Sequence, residues 1–317
     1  MRACRGRVVV IGNAGLDLRL SVARLPLPGE TLVGSGAAWA PGGKGLNQAV
    51  VAARCGVPVR FCAPLGHDDS QADEIRRHLD AEGIAELILP RLPHATDFSL
   101  LMVLPNGENS IVSTSVCSLA MTPGHAEPAL RDLRPHDVVL MQGNLPLATT
   151  GAILDAARRQ GATSIFNPAP VWPGAEKLLG RCSLVIANRV EAGQLGDAIG
   201  DARTAIVTLG AEGCALIEDG RRRAFAAETV TAVDTTGCGD AFCGVVAAAL
   251  AQGLAIEVAV VAAQKAAAIT ATRAGAFAAL PPQSELQAIL SSFAALRTAT
   301  SPPAPGPGTS SAPGRTS

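Results

Sequence analysis

The stretch Val233-Asp-Thr-Thr-Gly-Cys-Gly-Asp-Ala-Phe242 sets Gly237 and Gly239 on either side of Cys238, reaches Asp240, and runs into an Ala-rich apolar segment over 241–251. Glycine lets successive backbone N–H groups converge, and the first turn of a helix leaves its N–H donors without intrahelical partners. Gly237, Cys238 and Gly239 ahead of a helix therefore form a candidate anion site, whose partial positive charge matches a phosphoryl group in transfer. Asp240 is then placed to take the proton from a hydroxyl attacking phosphorus. The plainer reading makes Asp240 an N-cap after a glycine turn.

A second glycine turn enters a helix near the N-terminus, in Ala40-Pro-Gly-Gly-Lys-Gly-Leu-Asn-Gln-Ala49. Gly42 and Gly43 permit close approach of backbone to a ligand, while Lys44 and Asn47 bring a cation and an amide suited to hydroxyl groups. A Walker loop is excluded, because Ala38 and Gly45 stand where it needs Gly and Ser or Thr. The dinucleotide fingerprint is missing too, since Val8-Val-Val-Ile11 leads into Gly12-Asn-Ala-Gly15.

Outward from these turns, short aliphatic runs alternate with helical patterns. The runs are Val8-Val-Val-Ile11, Val138-Val-Leu-Met141, Thr163-Ser-Ile-Phe166, Leu184-Val-Ile-Ala187 and Ala205-Ile-Val-Thr208; the helical segments are 47–55, 148–160 and 241–251. Nearly continuous apolar strands separated by helices predict an α/β fold, a mostly parallel sheet covered on both faces. Two regions break the rhythm. Residues 17–33 carry strand-like alternation, and residues 98–116 read as a hairpin turning at Pro105-Asn-Gly-Glu108. They predict a small β lid built from segments of about 17–38 and 85–116. Residues 298–317 are Pro/Ser/Gly-rich and predict a disordered tail.

Composition narrows the partners. With 26 basic and 27 acidic residues and a net charge of −1, no extended electrostatic footprint for nucleic acid or an anionic membrane is visible. Cys4, Cys55, Cys62, Cys117, Cys182, Cys214, Cys238 and Cys243 include no C-x-x-C pair, and read as reduced thiols of a cytoplasmic protein. No window reaches membrane-spanning length without charges or Gly/Pro breaks. Cys238 reads first as a small residue filling space, with a lowered thiol pKa and redox sensitivity beside the helix N-terminus as a side hypothesis.

Taken together, the two glycine motifs resemble the PfkB/ribokinase family of carbohydrate kinases, with supporting matches at Gly12 through Asp17, Leu25-Pro-Leu-Pro-Gly-Glu-Thr31, Met141-Gln142, Asn167-Pro-Ala-Pro170, Thr208-Leu-Gly210 and Thr272-Arg-Ala-Gly-Ala276. The resemblance implies one ribokinase-like three-layer α/β/α domain over 1–297 with a β lid, a homodimer through that lid, and ATP-dependent transfer to a primary hydroxyl of a small sugar. Asp240 would be the general base, with Gly237, Cys238 and Gly239 as the anion hole. Asp17 would anchor sugar hydroxyls with Gly42, Gly43, Lys44 and Asn47, while Asn188 and Glu191 would hold the Mg2+–phosphate region. Thr208, Gly210, Gly213 and Gly239 would receive ATP phosphates, and Gln264 would lie beside the adenine.

A K+ site is implied at Asp234 and the carbonyls of Thr236, Thr270, Arg273 and Gly275, where Ala279 replaces a customary polar side chain. Gly15 stands where ribokinases carry an Asn, and Asn144 where many carry a Glu. Losing such partners shifts specificity, so the resemblance does not fix ribose as the acceptor. A nucleoside kinase, admitted by space at Gly15, and a silent sugar- or nucleotide-binding regulator are the alternatives. The segment between Glu191 and Ala205 is shorter than usual by about a helix.

Overall fold

The computed structural model describes residues 6–105 and 108–299. The tip of the expected hairpin turn and the expected tail from residue 300 onward lie outside the described residues. The first strands are β1 (Val8–Ile11), β2 (Gly15–Ser21), β3 (Gly36–Gly42), β4 (Val59–Cys62), β5 (Leu65–Gly66), β6 (Glu86–Ile88) and β7 (Arg91–Leu92). They are followed by β8 (Asp97–Val103), β9 (Asn109–Ser113), β10 (Val138–Gln142), β11 (Thr163–Asn167), β12 (Leu184–Asn188), β13 (Thr204–Thr208), β14 (Cys214–Glu218) and β15 (Arg221–Phe225). The α-helices are α1 (Lys44–Arg54), α2 (Ser70–Ala81), α3 (Val116–Leu119), α4 (Pro123–Leu130), α5 (Leu147–Arg159), α6 (Arg189–Leu195), α7 (Cys238–Ala251), α8 (Ile256–Ala271) and α9 (Gln283–Ala299).

Among the described residues a nine-stranded sheet runs β15-β14-β13-β12-β11-β10-β1-β4-β6, parallel from β6 through β13 and antiparallel at β14 and β15. Successive side chains of a strand point to opposite faces, so a strand apolar at every position must be covered twice. In β1, Val8 and Val10 join a core formed with α1, α2, α7, α8 and α9, whereas Val9 and Ile11 join one formed with α4, α5 and residues 175–182. The expected three layers are present.

The lid is a separate four-stranded sheet ordered β3-β2-β8-β9. Its limits correct the expected ones. Residues 86–88 form the edge strand of the large sheet, β7 pairs with β5, and the lid begins again only at Asp97; at the other end β3 continues to Gly42. The cause is that Leu87 and Ile88 find apolar partners on the two faces of the large sheet. Residues 22–35 contain no strand, so the alternation seen over 17–33 stops at Ser21.

Helices α1 and α7 begin about a turn earlier than their apolar stretches suggest, because each N-cap is a glycine in left-handed or positive-φ backbone, Gly43 at 97° and Gly237 at 82°. Lys44 and Asp240 thus lie inside helices. Gly244 lets the two helices meet: a Cβ there would stand 2.7 Å from Val51 Cβ and 2.9 Å from the Gln48 carbonyl oxygen.

Candidate active site

Asp240 is the third residue of α7 rather than its cap. Its carboxylate turns to α1, where Asn47 Nδ2 donates to Oδ2 at 3.0 Å and Gln48 Nε2 donates to Oδ1 at 3.0 Å. The group is 7% exposed. A buried carboxylate needs such donors, since an unpaired charge in low dielectric is costly.

Two clefts meet at this helix start. One, of about 430 Å³, is lined by Asn13, Gly15, Asp17, Gly43, Lys44, Asn47, Ser99, Asn144, Thr236, Gly237 and Asp240, with Phe98, Leu101, Ile111 and Trp172 on its apolar side. The other, of about 300 Å³, is lined by Thr208, Gly210, Gly213, Cys238, Gly239 and Gln264 together with Val230, Phe242, Ala267 and Ala268. Gly237 and Asp240 face the first and Cys238 and Gly239 the second, so the turn is shared between them. A polar cleft and a mostly apolar cleft joined at a helix N-terminus can hold a polyol and a nucleotide with the phosphoryl group passing over the donors of the turn.

Within the polar cleft, β2 and β8 set Asp17 opposite Ser99. Burial pushes the Asp17 carboxyl up to about 6; the Ser99 hydrogen bond opposes this, the Asp240 charge adds to it, and Lys44 opposes it. Gly42 makes room for that carboxylate, as a Cβ there would lie 2.3 Å from Asp17 Cγ, so its part is spatial and it does not line the cleft. Asn13 Oδ1 accepts from the Gly45 N–H at 3.1 Å and ties the β1–β2 link to the start of α1. Among the described residues Asn47 Oδ1 and Asn144 Oδ1 are buried acceptors without partners, both at the cleft and open to hydroxyl donors.

Gly15 does not widen the cleft. A Cβ there would fall 2.4 Å from the Asp97 carbonyl oxygen, so the neighbouring strand already fills that space. In the apolar cleft, Gln264 is 9% exposed, and its Oε1 has no partner among the described residues.

Asn188 and Glu191 line neither cleft. They form a capping box on α6, with Glu191 N–H donating to Asn188 Oδ1 at 2.8 Å and Asn188 N–H to Glu191 Oε2 at 2.8 Å. Burial pushes the Glu191 carboxyl up, while the Asn188 N–H and Lys44 pull it down and Asp240 adds to the rise. These couplings place the pair in the electrostatic neighbourhood of the site.

Asp234 gathers the loops behind the turn: Oδ1 accepts from Thr236 N–H at 2.9 Å and Thr236 Oγ1 at 2.6 Å, and Oδ2 from Gly275 N–H at 2.9 Å. Although burial opposes it, the Thr236 and Gly275 bonds and the Arg19 charge hold this carboxyl below the usual range. Thr270 is fully buried, its carbonyl accepting from Arg273 N–H at 3.0 Å. The Arg273 side chain turns away to Glu285 at 2.7 Å. Ala279 is fully buried.

At Cys238, burial and then the charges of Asp234 and Asp240 push the thiol up to about 11, against a backbone hydrogen bond that lowers it, which agrees with the small-residue reading rather than the redox one. The roles of Gln48, Gln142 and Asn167 are not among the sequence expectations, although each stands inside a quoted motif; Gln142 and Asn167 carry a signal as polar residues closing strands, whereas Gln48, inside a helix, carries none.

A model of the pfkB family of carbohydrate kinases matches residues 5–283. The ribokinase of Bacillus subtilis is 31% identical over 291 residues, spanning 90% of this chain and 99% of that one. The solved ribokinase of Thermotoga maritima is similar at a TM-score of 0.81 and 29% identity, covering 90% of this chain and 99% of its own. The Arabidopsis thaliana ribokinase solved with ribose and ATP is similar at a TM-score of 0.78 and 25% identity, covering 90% of this chain and 98% of its own.

Proposed function

The chain belongs to the pfkB family of carbohydrate kinases, and from that membership we propose that Asp240 is the base in transfer of the ATP γ-phosphoryl group to the primary hydroxyl of a neutral, pentose-sized sugar. ATP-dependent sugar phosphorylation itself follows from the family and its ribokinase relatives, and the fold is ribokinase-like. What carries the finer reading is the Asp240 carboxylate, fixed by two amides where the two clefts meet.

In this mechanism Asp17, Asn47 and Asn144 accept hydrogen bonds from the sugar, and Asp240 takes the proton of the attacking hydroxyl. The oxygen–phosphorus bond forms as the bond to the ADP oxygen breaks, while first-turn N–H groups of α7 meet the developing charge. Among the residues lining the polar cleft Lys44 is the sole cation, against Asp17, Asp97 and Asp240. That balance favours a neutral acceptor over a phosphorylated or carboxylated one. The nucleoside alternative rests on space at Gly15, and it is weakened by the Asp97 carbonyl oxygen, which a Cβ there would meet at 2.4 Å.

Asn188 and Glu191, whose side chains bond each other, would hold Mg2+, which would neutralise the nucleotide phosphates. Asp234, whose carboxyl is held below the usual range, would hold a monovalent cation together with the carbonyls of Thr236, Thr270, Arg273 and Gly275, and the cation would add positive charge behind the turn.

The test is an ADP-release assay with Mg2+ and K+ over pentoses, hexoses, deoxy-sugars and nucleosides, with Asp240→Asn as the blank. Turnover on a neutral pentose that the variant lacks supports the proposal. Equal turnover by the variant overturns Asp240 as base, and activity confined to nucleosides overturns the acceptor class.

A further inference from the structure

We infer that Gln48 is a positioning residue of the transfer, aiming the Asp240 carboxylate through a relay of buried amides. The inference rests on the reading of Asp240 as base. Gln48 and Gln142 are 0% exposed and Asn167 is 8% exposed, so none of the three is placed to bind substrate directly. Gln142 Nε2 donates to Gln48 Oε1 at 2.8 Å; Gln48 Nε2 donates to Asp240 Oδ1 at 3.0 Å and to Asn167 Oδ1 at 3.2 Å; Asn167 Nδ2 donates to the Ile186 carbonyl at 2.8 Å.

Each amide is oriented by the next. The Ile186 carbonyl can only accept, which fixes the Asn167 amide with Oδ1 toward Gln48. Gln48 must then present its NH2 there, and both of its hydrogens are used, one on Asn167 and one on Asp240. Turning the Gln48 amide over would set its oxygen against a carboxylate and an amide oxygen at once, leaving buried groups unpaired, which is costly.

The relay stands on the C-terminal ends of the central strands: Gln142 closes β10, Asn167 closes β11, and Ile186 lies near the end of β12. The large sheet thereby sets the angle of a carboxylate on α7. Gly12 leaves room for it, since a Cβ there would lie 1.9 Å from Gln142 Oε1. Asn47, which lines the cleft, holds the other carboxylate oxygen, so Asp240 is fixed from two neighbouring residues of one helix.

The experiment compares Gln48→Met, Gln142→Met and Gln48→Glu with the parent and with Asp240→Asn, measuring kcat, both KM values and thermal unfolding. Gln48→Met keeps the volume and removes both donations; kcat is expected to fall about 100-fold with the KM for ATP unchanged, the scale of a misaimed catalytic group. Gln142→Met, which does not touch Asp240, should lower kcat in the same sense and by less.

Gln48→Glu keeps the shape but faces Asp240 with a second carboxylate until it is protonated. Its kcat relative to the parent should rise as pH falls from 8 to 5, and taking the ratio removes the titration of Asp17, Glu191, Lys44, Cys238 and Cys243 around Asp240. A Gln48→Met protein that unfolds cooperatively and keeps the parent kcat overturns the inference, as does a flat Gln48→Glu ratio. If Gln48→Met fails to fold, parental kcat in Gln142→Met overturns it. Parental activity in Asp240→Asn would instead remove the base, so the two failures are distinguishable.

Discussion

Asn47 and Asp240 stand 193 positions apart in the chain and share a 3.0 Å hydrogen bond in which Nδ2 donates to Oδ2. Each belongs to a glycine turn that, taken alone, reads as an ordinary helix start. The bond makes them one site, and Gly244 makes the bond possible by letting α1 and α7 pack closely.

The Asp17 carboxyl, raised to about 6, predicts an acid limb in sugar phosphorylation. In the free enzyme its ionised form accepts the sugar hydroxyls, so kcat/KM for the sugar should fall about tenfold per unit below pH 6. Asp17→Asn should lose that limb along with most of its sugar affinity. Stability moves the opposite way. A carboxyl with a folded pKa above its unfolded value of 3.8 contributes stability below that value and loses it as pH rises through 6. Asp17→Asn should therefore raise Tm relative to the parent at pH 8 but not at pH 4. Equal shifts at the two pH values would show that the raised pKa is absent.

Gly15→Ala should damage the lid rather than retune specificity. The new methyl would meet the Asp97 carbonyl oxygen at 2.4 Å, and backbone cannot step aside without breaking the β2–β8 register. The cost is expected at about 1–3 kcal/mol, read as a lower unfolding midpoint with a raised KM for the sugar. Unchanged stability with a switched acceptor preference would show that the neighbouring strand yields to a side chain at this position.

The layered sheet was legible because β1, β10 and β12 are apolar at nearly every position, which only a doubly covered parallel sheet explains. Asp240, Asn47, Lys44 and Asp17 were legible because glycine turns and helix starts have local signatures. Gln48 was not, since an amide inside a helix gives no hint of what lies opposite; its role depends on strands that end more than ninety positions later. The lid limits were blurred for a related reason. Glu86-Leu-Ile88 has strand composition whichever sheet it joins, and only tertiary packing assigns it.

Trp39, Leu18, Leu100 and Val112 form one row across all four lid strands, on the face opposite Asp17, Ser99 and Ser113. Trp39 is 54% exposed and Val112 62% exposed, an apolar row of the kind that marks an interface. The expected homodimer would bury it. Sedimentation should give a dimer for the parent and a monomer for Trp39→Arg combined with Val112→Arg. A monomeric parent would remove the dimer.

Cys238 offers the sharpest check on how charge is arranged around the anion turn. A helix N-terminus favours a thiolate, whereas burial and the carboxylates of Asp234 and Asp240 disfavour it and push the thiol up to about 11. At pH 7.5 the thiolate fraction should then be on the order of 10⁻³ or less. Alkylation by iodoacetamide should be slow, accelerate through pH 10, and be blocked by ATP, since Cys238 lines the nucleotide-side cleft. Cys238→Ala should leave kcat and oxidant sensitivity as in the parent, the side chain serving mainly to fill space beside the turn. Rapid labelling of Cys238 at neutral pH would mean that the N–H groups of the turn outweigh both carboxylates, and the anion hole would be more strongly positive than its surroundings suggest.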